Sequence, residues 1–504
     1  MKKEKIKKIK KENLFTLFFE ELPEEQKQMI NDFFTSFNQH CLISKSDTKL
    51  LKSDFEKAIL YYLSHNVELE KALEMLNPSN LGGFYARPSL LWFSLDDSAK
   101  IYPMSLEHGN MPLFRLSAYM AKDVIPELLQ MALTFTIKRF PSFATTLKKG
   151  IFWHYLDTSK RRFVIHEEND TPCQPLKVGR SGSQSFRVIY YKNRISVEFF
   201  HVLTDGVGGM EFLKVLLSEY VRLTGTTILD RGSIFDVHAT PEIEEMRNEF
   251  ARIPHSSSTS GLINKRVLQM NGSLSRVKPN QIIHFKMDST KLRAKAKEYN
   301  TTVTIYLLAL MFQVIKASTD SLTGDVSVQV PVNMRKYYPS KTLRNFAMYS
   351  SIKMDIAEIK TTSELIESIT EQLADKGSKE KMSEMVTSAN KIVTSIKLIP
   401  LFIKLPIAKK LYGFLGDQAF TSTLSNLGVI DMPKEYFEHI LSMDFVLGTA
   451  PNNRAICGLI TYNNVTTLSI SKMTKDPTFE EKYYELLTKD GLLIDVEGSG
   501  IYEY

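Results

Sequence analysis

The run RISVEFFHVLTDGVGGMEFLKVLL puts an imidazole at the end of an apolar stretch: Arg194 to Phe200 leads into His201, and the chain passes through Val202, Leu203 and Thr204 to Asp205 and turns at Gly206. Imidazole titrates close to neutral pH, so a histidine fixed at a strand end suits abstraction of a proton. Asp205, four positions on, can fold back beneath it, either holding the ring or pairing with a cation that locks the loop. Gly206, Gly208 and Gly209 permit the tight turn, and a helix is expected from about Met210. A strand-end histidine is also an ordinary packed residue, so the surrounding chain has to discriminate. Asn426, in TLSNLG, reads as a turn before Gly428, and its amide is also a donor of the kind that steadies developing negative charge on an oxygen, worth about 3 kcal/mol. The three cysteines, Cys41, Cys173 and Cys457, stand far apart, so neither a disulfide framework nor a zinc cluster is read, and no metal is expected. Cys457 lies in a strand-like AICGLITY and reads as buried and inert.

The elements that must position these residues follow from periodicity. Apolar residues recur at three and four from Leu50 to Met75, a helical pattern that Asp54 could open, and NPSNLGGFYARP then breaks it. From Asp96 the elements begin to alternate. Met111 to Ala121 reads as a strand, Asp123 as the cap of a helix to about Arg139, and Phe152–Tyr155, Phe186–Tyr191 and Arg194–Phe200 as strands. A second round starts at Ile282, with IIHFKM, a helix capped by Ser289, the mostly buried helix TVTIYLLALMFQVIKA, and strands at VSVQVPV and Ala347–Met354. Ala455–Tyr462 and Val465–Ser471 meet at Asn463 and Asn464 as a hairpin would. The alternation predicts an α/β chain with two similar lobes.

Composition limits the functions open to it. The 504 residues, 43% of them apolar, exceed one ordinary core. The net charge is +7, of which residues 1–12 carry +5 and residues 391–410 another +5, leaving about −3 for the rest. A nucleic-acid protein would spread its cations over a broad face, so no nucleic-acid partner is expected. The basic start is followed by an apolar stretch broken by Glu20 and Glu21 with no small-residue cleavage site, which reads as no signal peptide. No run of about 18 uncharged apolar residues is present, so no transmembrane helix is expected and the protein is placed in the cytoplasm. Residues 391–410, KIVTSIKLIPLFIKLPIAKK, mix apolar residues with lysines, and Pro400 and Pro406 divide them into short helical pieces. They either pack on a lobe with solvated lysines or make a peripheral membrane contact.

HVLTDG matches the motif HxxxDG, and the chain from about Leu91 to Leu492 resembles the CoA-dependent acyltransferase superfamily, which holds chloramphenicol acetyltransferase, peptide-synthetase condensation domains, plant acyltransferases and bacterial alcohol acetyltransferases. Four further stretches stand in the order the resemblance requires: SLDDSAKIYP, RFPSFATTLKKGIFWHYLD, VQVPVNMRKYYPSKTLRNFAMYSS and STLSNLGVIDMP. Alcohol acetyltransferase-type members are most similar, because condensation domains usually carry a second histidine where Phe200 stands and are flanked by carrier and adenylation domains.

The resemblance implies two chloramphenicol acetyltransferase-like lobes with a tunnel between them, residues 91–275 and 276–504, after an N-terminal basic and helical extension, residues 1–90. It implies His201 as general base in mid-tunnel, moving an acyl group, acetyl or another short one, from acyl-CoA as co-substrate to a small alcohol or amine, with no covalent acyl-enzyme and no permanently bound cofactor. Asp205 would act structurally against an arginine of the second lobe, for which Arg335 is chosen over Arg344, with Asn345 also a candidate. Asp444, Phe445 and Gly448 in DFVLG partly match a structural motif of plant members and receive no catalytic role. Trp153, His154, Tyr349 and Ser350 are left out of the site, since such residues on strands are more often packed. The alternatives are N-acylation, condensation with a carrier-bound donor, and a catalytically retired binding protein. Because the resemblance begins near Leu91, residues 1–45 are expected to be dispensable for activity on soluble substrates.

Overall fold

Where β-branched and aromatic residues alternate between turn signals the chain forms strands, and among the described residues these assemble into three sheets. The computed structural model describes residues 14–86, 92–97, 99–100, 102–105, 111–158, 161–178, 184–259, 266–406, 419–448 and 452–502. The first half supplies β1 (Trp92–Ser94), β2 (Leu113–Met120), β3 (Thr145–Lys149), β4 (His154–Thr158), β5 (Ile165–Glu167), β6 (Phe186–Tyr191) and β7 (Arg194–Phe200). The second supplies β8 (Gln281–Asp288), β9 (Asp325–Asn333), β10 (Ala347–Asp355), β11 (Ser422–Val429), β12 (Ile440–Leu447), β13 (Ala455–Tyr462), β14 (Val465–Lys472) and β15 (Asp495–Gly498). One sheet runs β12-β2-β7-β6-β5, a second β10-β9-β11-β13-β14-β8-β15, and a small third β1-β4-β3.

Each large sheet has its own hydrophobic core, which makes the chain the two-lobed α/β protein expected. In the first, helices Pro126–Thr136 and Gly206–Leu223 bury Leu128, Phe135, Phe212 and Leu216 in one core with the apolar residues of β2 and β7, Phe212 meeting Phe199 of β7. In the second, Val303–Ala317 and Thr478–Lys489 bury Tyr306, Leu310, Phe479 and Tyr483. The lobes are stitched together by β12, which belongs to the second half by sequence but pairs antiparallel with β2, Phe445 opposite Leu116. A Cβ at Gly458 of β13 would sit 2.2 Å from the Phe445 carbonyl oxygen, so the second sheet passes directly against this strand.

Strands β6, β7 and β13 have the bounds that alternation predicts, and the β13–β14 turn has Asn463 and Asn464 at φ 45° and 60°, the left-handed conformations of a tight hairpin. Helix starts differ from expectation. Ser44, rather than Asp54, caps Lys45–Ser64, accepting from the Asp47 amide, and the pattern to Met75 is broken after Ser64 by Asn66 at φ 60°. Asp54 lies inside that helix, buried, with both carboxylate oxygens on the Arg162 guanidinium. Pro126, which needs no amide partner, opens the next helix in place of Asp123, and Asp288 rather than Ser289 caps Ser289–Glu298. No single helix among the described residues is long and apolar enough to cross a membrane.

The change of composition near residue 90 is not a break in packing. Helices Glu24–His40 and Lys45–Ser64 bury Phe33, Phe34, Phe37 and Phe55 in the core of the first lobe. The Phe55 ring lies 6.1 Å from that of Phe135, and the Tyr62 hydroxyl donates to the Leu223 carbonyl at 2.6 Å. Residues 24–40 are therefore core-forming and not an appendage set apart from the first lobe. Phe55→Ala should lower the unfolding free energy by about 3–5 kcal/mol, and removal of residues 1–45 should lower the urea midpoint further. An unchanged midpoint in either protein would show that these helices only rest on the lobe.

Candidate functional site

Strand β7 delivers His201 at its end, where the His201 amide donates to the Pro112 carbonyl at 2.9 Å and the Leu203 amide turns back to the Phe200 carbonyl at 2.9 Å. Aromatic rings bound the imidazole: Phe114 stands edge-on with centroids 5.2 Å apart and Tyr102 lies at 5.1 Å. Burial among them lowers the His201 pKa below its ordinary value of 6.5, against the opposing pull of the Asp205 charge. The ring is therefore neutral at pH 7. Its Nδ1 is fully buried and finds no partner on any other described residue, and Nε2 makes no hydrogen bond there either.

Asp205 does not hold the ring. Its Oδ1 accepts the amides of Val207 and Gly208, each at 3.1 Å, as the N-cap of helix Gly206–Leu223, which thus starts at Gly206 rather than near Met210. Its Oδ2 accepts Nη1 of Arg335 at 2.7 Å and the Phe346 amide at 2.8 Å. Of the two arrangements open to Asp205, the structure adopts the cation pair. Arg335 in turn donates from Nε and Nη2 to the Thr342 carbonyl at 3.2 and 2.7 Å and from Nη2 to the Arg344 carbonyl at 3.0 Å, so it braces the second-lobe loop 342–346 against the HVLTDG turn. A Cβ at Gly208 would lie 2.0 Å from the Leu343 carbonyl oxygen, which also receives the Thr204 hydroxyl at 2.6 Å. A side chain there would push the loops apart. At Gly206 a Cβ would meet the end of the Leu427 side chain at 2.4 Å.

The second-lobe loop carries two further contacts that the sequence placed low or missed. Asn345 donates from Nδ2 to the His201 carbonyl at 3.3 Å, holding the main chain of the histidine itself. Arg344 reaches Asp96 at 3.2 Å, the Ser94 carbonyl at 2.5 Å and the Met246 carbonyl at 3.3 Å. Burial pushes the Asp96 carboxyl up to about 7 in spite of Arg344, with Asp97 and Asp205 adding to the rise. The paired acids of SLDDSAKIYP were the available signal for Asp96.

Asn426 is exposed and both ends of its amide are engaged: Nδ2 donates to Thr304 Oγ1 at 2.8 Å and Oδ1 accepts the Gly428 amide at 2.7 Å, with Gly428 at φ 77°. This is the turn, and the side chain is not aimed at an oxyanion. Asp444 on β12 is buried and accepts the Tyr119 hydroxyl at 2.9 Å, a contact within the first sheet. Cys457 is buried, which pushes its thiol pKa up. Among the described residues no group of three or more potential metal ligands gathers.

No family model matches the sequence, and no curated protein does. Solved structures do share its fold. Trichothecene 15-O-acetyltransferase of Fusarium sporotrichioides superimposes over 79% of this chain and 94% of its own, with TM-score 0.53 and 11% identity. TRI101 of F. graminearum, solved with coenzyme A and T-2 mycotoxin, covers 80% and 99% with TM-score 0.53 and 10% identity. Polyketide synthase associated protein 5 of Mycobacterium tuberculosis covers 79% and 96%, again at TM-score 0.53 and 11% identity. At these identities the likeness is one of fold.

If the pair of buried Asp205 with half-buried Arg335 holds the two loops together, Asp205→Ala should leave the guanidinium without its carboxylate and cost about 3–5 kcal/mol of stability, read by thermal or urea unfolding. An unchanged melting temperature would mean that the pair contributes nothing to the junction.

Proposed function

We propose that this protein transfers an acyl group, acetyl or another short one, from acyl-CoA to the hydroxyl of an alcohol, with His201 as general base. The observation that carries this reading is the half-buried imidazole at the end of β7, its Nδ1 turned into the protein and its loop locked from the opposite lobe. Its pKa lies below the ordinary value of 6.5, so the basic form is the resting form. With Nδ1 buried, Nε2 is the nitrogen left to receive a proton. The acceptor O–H gives its proton to Nε2 as the oxygen attacks the thioester carbonyl. The tetrahedral oxyanion collapses, the C–S bond breaks, and the imidazolium returns the proton to the departing CoA thiolate. A positioned base of this kind contributes about 10²- to 10⁴-fold in rate.

Asp205 and Arg335 have a structural part here, and Asn345 positions the His201 main chain. Coenzyme A in the TRI101 structure supports acyl-CoA as the donor. A cytoplasmic location goes with this reading, because the substrate is a thioester and the three cysteines are unpaired thiols.

Incubation with a panel of acyl-CoAs and alcohols or amines, following free thiol, tests the proposal. Thiol release should require an acceptor, and His201→Ala should keep the melting temperature while lowering turnover at least about 100-fold. Release without any acceptor would indicate a thioesterase, turnover within a few-fold of wild type in His201→Ala would remove the histidine from the chemistry, and no release under any condition would leave a binding protein.

A further inference from the structure

Surface helices ordinarily turn apolar side chains inward and charges outward. Residues 396–406 depart from this, with one lysine turned inward and four apolar side chains turned outward. Leu401 and Lys404 are buried, while Leu398 and Phe402 are 79% and 76% exposed and Ile399 and Ile403 also face outward. The Lys404 ammonium donates to the Phe152 carbonyl at 2.8 Å and lies 3.5 Å over the Trp153 ring. The Leu401 amide donates to the Ile151 carbonyl at 2.8 Å, which brings Ile151, 75% exposed, and the exposed Phe152 alongside. The β3–β4 connection and the 396–406 segment thus form one apolar face.

The charge beside this face has one sign. Residues 385–416 contain five lysines and no Asp or Glu. Lys391 and Lys397 are exposed and have no ion-pair partner among the described residues. The face also adjoins the cover of the site: Trp153, under Lys404, lies 5.6 Å from the Lys100 ammonium, and two residues on Tyr102 packs against His201.

We propose that this face docks on an anionic lipid bilayer, with Ile151, Phe152, Leu398, Phe402 and Ile403 entering the headgroup boundary and Lys391 and Lys397 set against lipid phosphates. A second copy of the chain is the poorer occupant, since a two-fold contact would bring two lysine-rich, acid-free segments together. Resting on the acyl-transfer reading, the docking places the acceptor's entrance at the bilayer and selects an amphipathic, membrane-borne alcohol.

Co-sedimentation of the full chain with phosphatidylcholine vesicles, with and without phosphatidylglycerol, tests the docking without any substrate. The protein should sediment with the anionic vesicles, less at high salt. Binding should weaken about 25-fold in Lys391→Gln/Lys397→Gln, roughly fivefold per lysine, and be lost in Leu398→Ser/Phe402→Ser, with melting temperatures unchanged because all four side chains are exposed. No sedimentation with either vesicle, or sedimentation indifferent to salt and to all four substitutions, would overturn the proposal. So would concentration-dependent dimerisation abolished by Leu398→Ser/Phe402→Ser without vesicle binding, which would assign the face to a second copy. In a separate arm, Leu398→Ser/Phe402→Ser should slow acylation of a long-chain alcohol held in vesicles and leave that of a soluble alcohol unchanged, and equal slowing of both would overturn the link to the acceptor. Failure on every acceptor would sink the acyl-transfer reading and leave the vesicle binding standing.

Discussion

The carboxylate of Asp205 receives four donors, two amides of its own helix and, from the other lobe, the Arg335 guanidinium and the Phe346 amide. A buried charge of this kind is tolerable only when its lone pairs are filled, so the two lobes have one close-fitting arrangement around it. The helix that it caps also presents its positive end to the carboxylate. The position of His201 follows, because only three residues separate it from Asp205 and its carbonyl is held by Asn345 of the same second-lobe loop. The HxxxDG spacing is thus a mechanical device: a strand end, a turn, and a cap clamped from across the junction.

Other contacts keep that junction from opening. Strand β12 commits part of the second half of the chain to the first sheet, and a bidentate Arg139–Glu245 pair at 2.5 and 2.8 Å fixes the segment whose Glu245 carbonyl accepts the Leu343 amide at 2.8 Å. The N-terminal helices add aromatic mass behind the same sheet, with Phe55 against Phe135. The site is held by both cores and by the connections between them.

What the sequence made legible was what local periodicity encodes. Strands β6, β7 and β13 were readable because their alternation is undisturbed and their ends carry turn residues. Helix starts were less so, since Asp54 and Asp123 have the right chemistry for a cap, and only the partner of Asp54, Arg162, some hundred residues away, shows that its carboxylate is needed elsewhere. Arg335 came from the resemblance, not from any pattern in PVNMR. Asn345 and Asn426 are indistinguishable by type, and the loop that brings Asn345 to the His201 carbonyl is set by tertiary packing. The same holds for residues 396–406, whose mixed composition fits either orientation until the contacts of Leu401 with Ile151 and of Lys404 with Phe152 fix which residues turn inward.

The pH dependence of kcat/KM for an acyl-CoA and its alcohol acceptor reports the ionisation of the free enzyme, and so reads whether the half-buried, neutral His201 is the base of an acyl transfer. Burial lowers the pKa of His201, so protonation should switch the enzyme off only in acid. If His201 is the base, the profile should show a single acid limb centred below 6.5 and a plateau above it, with the limb absent from whatever activity remains in His201→Ala. A limb centred at or above neutrality, or one that survives in His201→Ala, would contradict it.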